Sequence, residues 1–303
     1  MMRKTTLVAV AGCALGLAAC GSSSTTPETA TPGASSPSTS TVPDCVAGRT
    51  AASGSTALQP LVQKAAEGYM AKCSGATITV SGGGSSTGLS NVASAVSDIG
   101  DSDVPASNAK TIDPSTLADH QVAIVVFAVA VNAQTGVTAL TSKQVEDIFS
   151  GAVTNWSQVG GKRLPVTLVE RKPGSGTRLT FDSVFMHGTP ESSSPASTQD
   201  STQLVLQQVA GAPGGVSYLA ASSIRDTSVI AASIDGAKPS ADAVRDGSYG
   251  FFAHEHMYTT KTPPPLAASF INYVLSDAVQ GSLVSQLGYL PVSTTTRQSA
   301  ADR

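Results

Sequence analysis

Aromatic side chains are scarce in this chain, at 5% of 303 residues with a single Trp. The 18 Lys and Arg are scattered and form no basic stripe. Those two shortages argue against a nucleic-acid partner, which needs clustered cations with aromatics between them. No apolar run is long enough to span a bilayer as a helix. Cysteine occurs four times, and neither spacing of the two that follow the leader resembles a zinc site.

What is present begins with an export leader. Arg3 and Lys4 give the positive start, Leu7 to Leu17 the short apolar core, and Leu17-Ala18-Ala19-Cys20 the end. That ending resembles a bacterial lipobox, in which cleavage leaves Cys20 as a lipid-bearing first residue. An ordinary leader that happens to contain a Cys is the alternative. Residues 1–19 are thus expected to be removed. Losing Arg3 and Lys4 takes the formal net charge from −3 to −5. Residues 20–44 continue as Ser, Thr and Pro with almost nothing apolar, a composition expected to form a flexible stalk. Cys13 leaves with the leader and Cys20 is spent on lipid, so Cys45 and Cys73 remain as an even pair in an oxidising compartment. A disulfide between them is expected, with two buried thiols as the alternative.

About 260 residues follow the stalk, enough for one large domain or two smaller ones. Helical and strand patterns alternate. Ala57 to Met70 places Leu58, Leu61, Val62, Ala65 and Tyr69 on one helical face, and Ala76 to Val80 reads as a β-branched strand. Helices are expected at Gly88 to Val96, Ser142 to Phe149, Gly176 to Met186, Thr202 to Val209 and Leu266 to Leu275. Strands are expected at Val166 to Val169 and Val216 to Leu219. The apolar run Val122 to Val131 suits a strand that passes from one domain to another. The alternation predicts an α/β fold with buried, largely parallel sheets.

Three Gly/Ser/Thr loops punctuate this pattern: Gly54-Ser55-Thr56, Gly82 to Gly88, and Gly174-Ser175-Gly176-Thr177. Singly, the first two read as helix N-caps and the third as a Gly-rich strand-to-helix corner with a surface Arg. Together they fall at the carboxyl ends of strands, where open α/β sheets collect ligands. The third follows Arg171, whose planar guanidinium suits a pair of phosphate or sulfate oxygens. Free backbone N–H groups at such a turn favour an anion. A chain with net negative charge must hold an anion by local geometry, not by its overall field.

Other clusters carry competing readings. Ser97 to Pro105 brings three acids together and reads as a solvated acidic turn, or as a calcium loop that lacks the closing Glu. Gly84-Ser85-Ser86-Thr87-Gly88 satisfies Gly-x-Ser-x-Gly, and His254 and His256 come later, so a hydrolase with Ser86 as nucleophile is formally open. That alternative leaves Arg171 and Asp103 without a role. His254-Glu255-His256 reads as structural or exposed, and less well as a metal site.

The set Gly54-Ser55-Thr56, Gly84-Ser85-Ser86, Ser102-Asp103-Val104-Pro105 and Arg171 with Gly174-Ser175-Gly176-Thr177 resembles the binding proteins of bacterial phosphate ABC transporters. Val145 to Gly151, Asn155-Trp156 and Pro213 to Tyr218 extend the likeness from about Ala51 to Val292. The resemblance implies a two-lobed, periplasmic-type (type II) solute-binding fold. Residues 45–128 plus 255–303 would make one lobe and 129–254 the other, with a hinge near Val126 to Val131 and Tyr249 to Tyr258. It implies a ligand set of Thr56, Ala57 through its backbone N–H, Ser85, Asp103, Arg171, Ser175, Gly176 and Thr177. Ala57 departs from the family pattern, where many members carry an aromatic. Glu170, beside Arg171, offers that guanidinium a competing partner at the surface. The resemblance further implies no enzyme activity, no cofactor and no metal. It implies a monomer tethered to the outer face of the membrane, with a permease as partner. A sensor, or a binder of another oxyanion such as arsenate or molybdate, is the alternative within the same fold. In such a site Asp103 would discriminate, because a carboxylate only accepts hydrogen bonds and phosphate keeps an O–H to donate while sulfate has none.

Overall fold

The computed structural model describes residues 44–109, 111–225, 228–296 and 299. The leader, Cys20 and nearly all of the expected stalk lie outside the described residues. Strand β1 (Gly48–Gly54) leads into helix α1 (Gln59–Lys72), which buries Leu61, Val62, Ala65, Ala66 and Tyr69 as one stripe. Cys73 ends this helix and is disulfide-bonded to Cys45, as the residue pairing had suggested. Strand β2 (Ala76–Ser81), helix α2 (Ser85–Ala93) and strand β3 (Ile99–Ser102) follow, with β1 parallel to both β2 and β3. Helix α2 lies close on these strands through Gly88. A Cβ there would stand 2.6 Å from the carbonyl oxygens of both Ser53 and Asp101.

The apolar run belongs to a 16-residue strand, β4 (Leu117–Asn132), buried without interruption from Val122 to Asn132. After a short β5 (Ala139–Leu140), α3 (Ser142–Phe149) opens with a capping box between Thr141 and Gln144. Strand β6 (Thr167–Arg171) then precedes α4 (Gly176–Phe181), which widens into a π turn through Met186. Strand β7 (Ser197–Gln199), helix α5 (Thr202–Gly211) and strand β8 (Gly215–Ala220) complete this region. Two short strands, β9 (Val229–Ala231) and β10 (Ser233–Ile234), and helix α6 (Ala241–Arg245) lead to β11 (Phe252–Thr260) and α7 (Pro265–Val274).

The main sheet runs β2-β1-β3-β11-β4-β8-β6-β7, with β9 also on β4. One strand serves both halves of this sheet: β4 pairs with β11 from Leu117 to Val126 and with β8 from Phe127 to Val131. The expectation of largely parallel pairing is corrected here. The flanks β2-β1-β3 and β8-β6-β7 are parallel, but β3-β11, β11-β4 and β4-β8 are antiparallel. Strand-helix-strand units build the flanks. Between them the chain passes across once on β4 and returns on β11, and a strand and its return run opposite ways.

A second correction concerns the acidic stretch. Ile99 to Ser102 is not a solvated turn but an interior strand, with Asp101 and Asp103 almost wholly inaccessible. The few aromatics are concentrated. Phe181 stacks on Tyr218 at 4.0 Å, and Phe149, Phe185 and Phe251 surround the pair. That cluster braces α4, and with it the turn that α4 starts from.

Candidate functional site

The carboxyl ends of β1, β2, β3 and β6 converge, and the loops that leave them interlock. Asp103, one residue beyond β3, is 2% exposed. Its Oδ1 accepts a short hydrogen bond from the Ser55 hydroxyl, and its Oδ2 accepts one from Thr177 Oγ1 at 2.9 Å. Its backbone N–H donates to Ser85 Oγ at 3.0 Å. The carboxylate therefore gathers hydroxyls from both flanks of the sheet.

Arg171 ends β6 and is 1% exposed. Its Nη2 donates to Thr56 Oγ1 at 3.1 Å and, more weakly, to the Asp200 carbonyl at 3.4 Å. Its Nε and Nη1 meet no acceptor among the described residues. Burial lowers the guanidinium's pKa and the Asp103 charge opposes that shift. An arginine starts so far above neutrality that it stays cationic. A buried cation with two unmet donors is costly in a finished protein, so this arrangement calls for an acceptor from outside the chain.

The remaining expected residues lie around this pair. Thr56 Oγ1 also accepts from the Thr202 backbone at 3.2 Å. The Ala57 N–H is engaged by Ser55 Oγ at 3.1 Å. Ser175 caps α4 by accepting from the Arg178 backbone at 3.3 Å. Gly176 passes so close to the opposite flank that a Cβ would lie 2.3 Å from Ser85 Oγ. The Ser86 backbone also donates across to the Gly174 carbonyl at 3.0 Å.

Glu170 does not compete for Arg171. Neighbouring residues on a strand face opposite ways, and Glu170 pairs with Arg178 at 3.4 Å. Arg178 also reaches Glu191 at 3.0 Å and donates to the Arg171 carbonyl.

Three contributors carried no assigned role in the sequence. Ser55 lies inside the Gly54-Ser55-Thr56 loop, but its contact with Asp103 depends on a turn that only the fold sets. Thr202 and Asp200 stood at the start of an expected helix with nothing to connect them to Thr56 and Arg171. A cleft of about 270 Å³ beside the cluster is lined by Thr56, Thr202, Gln59 and Gln63, among others.

The competing clusters resolve differently. His256 Nδ1 lies 2.8 Å from Asp119 Oδ1, and His254 Nε2 lies 3.3 Å from Thr296 Oγ1. No group of three or more His, Cys, Asp or Glu suited to a metal occurs among the described residues.

Fold and site together define a solute-binding protein of the bilobal α/β class. The comparisons agree. A family profile described as the PBP superfamily domain matches residues 27–278. The chain is similar to the phosphate-binding protein PstS of Bacillus subtilis (strain 168), with 43% identity over 243 residues, 80% of each chain. Among solved structures it is similar to a substrate-binding protein assigned to phosphate ABC transport in Clostridium perfringens, solved with bound phosphate. That match has a TM-score of 0.75 and 27% identity, and covers 81% of this chain and 100% of the other. An ABC-type phosphate transport receptor from Vibrio cholerae matches with a TM-score of 0.64 and 25% identity, covering 80% and 100%. The chain therefore belongs to the PBP superfamily and, within it, to the family of bacterial phosphate-binding proteins that these relatives represent. The type II fold and the family implied by the sequence motifs are both borne out.

Proposed function

We propose that this protein binds inorganic phosphate outside the cytoplasm and delivers it to an ABC permease. The observation that carries the reading is the buried Arg171, with Nε and Nη1 unmet, close to the buried carboxylate of Asp103. The cation and the surrounding donors suit an oxyanion. Asp103 suits one that still carries a proton. Phosphate at neutral pH keeps at least one O–H to donate, whereas sulfate would set a lone pair against a carboxylate. An unpaired buried charge costs on the order of 2–5 kcal/mol, enough to separate the two anions.

In this reading Thr56, Ser85 and Asp103 approach the ligand from one lobe (45–128 plus 255–303), and Ala57 joins them only if its N–H leaves Ser55 Oγ for the ligand. Arg171, Ser175, Gly176 and Thr177 approach it from the other (129–254). The lobes part along β4 and β11 to admit it. Cys20 carries a lipid, and residues 20–44 tether the domain at the outer face of the membrane.

Calorimetric titration of the full chain, freed of bound anion, with phosphate and with sulfate at pH 7 tests this. Phosphate is expected to bind and sulfate to give no heat, and Asp103→Asn to narrow that difference. Absence of phosphate heat in the unmodified protein would sink the reading.

A further inference from the structure

Glu255 is fully buried, and neither of its oxygens meets a donor among the described residues. It stands on β11, which runs antiparallel to β3 with His256 opposite Ser102 and Met257 opposite Asp101. That register continues to place Glu255 beside Asp103. Alternation along the two strands sets Glu255, Asp103 and Asp101 on one face. A bulge between Glu255 and His256 breaks the pairing of β11 with β4 at this point.

Resting on the phosphate reading above, we propose that Glu255 is a second specificity-determining carboxyl of this site: as the neutral acid it donates its O–H to Asp103, so that the pair carries one negative charge and Asp103 remains an acceptor for the ligand's proton.

Chemistry and surroundings support this. A carboxylate only accepts, and one buried without any donor is untenable. The acid form supplies its own donor, and Asp103 is the acceptor beside it. Burial raises the pKa of Glu255 well above its usual range, and the neighbouring charges of Asp103 and Asp101 and the contact with Asp103 push the same way. Asp101 is raised in the same sense by burial and by Asp103. The other groups facing Glu255 do not relieve it. Tyr289 is a buried phenol whose own pKa burial raises, Arg225 acts on Tyr289, and Arg171 lies beyond Asp103. Helix α2, packed on the same strands, has no titratable side chain, and the β4 partner of Glu255 is Ala123. The ligand side of Asp103 is independently marked by the unmet donors of Arg171. Were Glu255 also ionised, two adjacent charges would repel the anion that Arg171 attracts.

The test compares the full-length protein with Glu255→Gln, which keeps a donor and cannot ionise, and with Glu255→Met, which removes the donor. Phosphate and sulfate are titrated from pH 6 to 10. Carboxyl-carbon NMR of the ligand-free, 13C-glutamate-labelled protein is recorded over the same range. At pH 7 the labelled protein should show a protonated glutamate signal that is absent from Glu255→Gln. Alkaline pH should weaken phosphate binding by the unmodified protein about tenfold more than by Glu255→Gln, the effect of losing one favourable charged contact. Glu255→Met should narrow the phosphate-to-sulfate ratio at pH 7. Superimposable pH profiles for the unmodified protein and Glu255→Gln, or no protonated signal assignable to Glu255, overturn the proposal even when phosphate binds tightly. No phosphate binding by the unmodified protein overturns the phosphate reading itself, while the NMR signal reports the Glu255 proton separately.

Discussion

Thr177 donates its hydroxyl to Asp103 Oδ2 across 2.9 Å, joining a helix start on one flank of the sheet to a strand end on the other. Both residues are almost wholly buried. The bond therefore forms only when the flanks are together, and it orients the carboxylate as it forms. Thr177→Val keeps the shape and removes the donor. Hydrogen bonds to charged groups contribute about 1.5–3 kcal/mol. Phosphate affinity is thus expected to fall about tenfold or more by calorimetry.

Arg171 makes the opposite trade. Arg171→Met is expected to abolish anion binding, with a loss on the order of a hundredfold or more. Removing the cation relieves two donors with no protein acceptor but leaves the buried Asp103 carboxylate without the Arg171 charge, and the two effects oppose each other. The ligand-free melting temperature should therefore change little. A steep drop would mean that Arg171 chiefly holds the structure together.

Glu191 gives the fold a pH dependence that does not pass through the site. Burial pushes its pKa up to about 9, although the Tyr218 hydroxyl at 2.7 Å and Arg178 pull it down. A raised acid keeps its proton in the folded state after the unfolded chain has released it. Its contribution is complete below the ordinary value of 4.5 and is lost as pH rises through about 9. Glu191→Gln cannot ionise, so melting temperature plotted against pH should slope less steeply across that window. Glu170 and Asp182, also raised by burial, leave part of the slope in place. An unchanged slope would mean that Glu191 is ionised in the fold.

The Cys45–Cys73 bond closes a loop of sequence separation 28. Loop-closure entropy sets its worth at about 3.5 kcal/mol. In a domain of this size that corresponds to about 7–14 °C in melting temperature. Paired Cys45→Ser and Cys73→Ser changes should lower melting by that much and leave phosphate affinity within about twofold, since neither residue touches the site.

Legibility in the sequence followed periodicity. Helix α3 matches its expected span because Thr141 and Gln144 cap it and Val145, Ile148 and Phe149 mark its buried face. Strands β1 and β3 were not legible. Gly48–Gly54 and Ile99–Ser102 are built from Gly, Ala, Ser, Thr, Arg and Asp with one large apolar residue, Ile99, between them. Their place inside the sheet comes from neighbours on both sides, not from their own pattern. Asp103 was readable from its motif, but its burial was not. Glu255 sat between two histidines that drew attention to metals. Its significance depends on β11 lying between β3 and β4, and no local pattern encodes that.

The disulfide has a mechanical consequence. Tension that reaches the domain from residues ahead of Asp44 meets the Cys45–Cys73 bond three residues before β1 begins. The load divides there and passes into the end of α1, whose Tyr69 is wedged against Phe270 and Tyr273 of α7. Strand β1 is spared the peeling force that would otherwise unzip it from β2 and β3, one hydrogen bond at a time. A pull on the chain ahead of Asp44 would thus leave Ser55 and Thr56, which follow directly from that strand, in place.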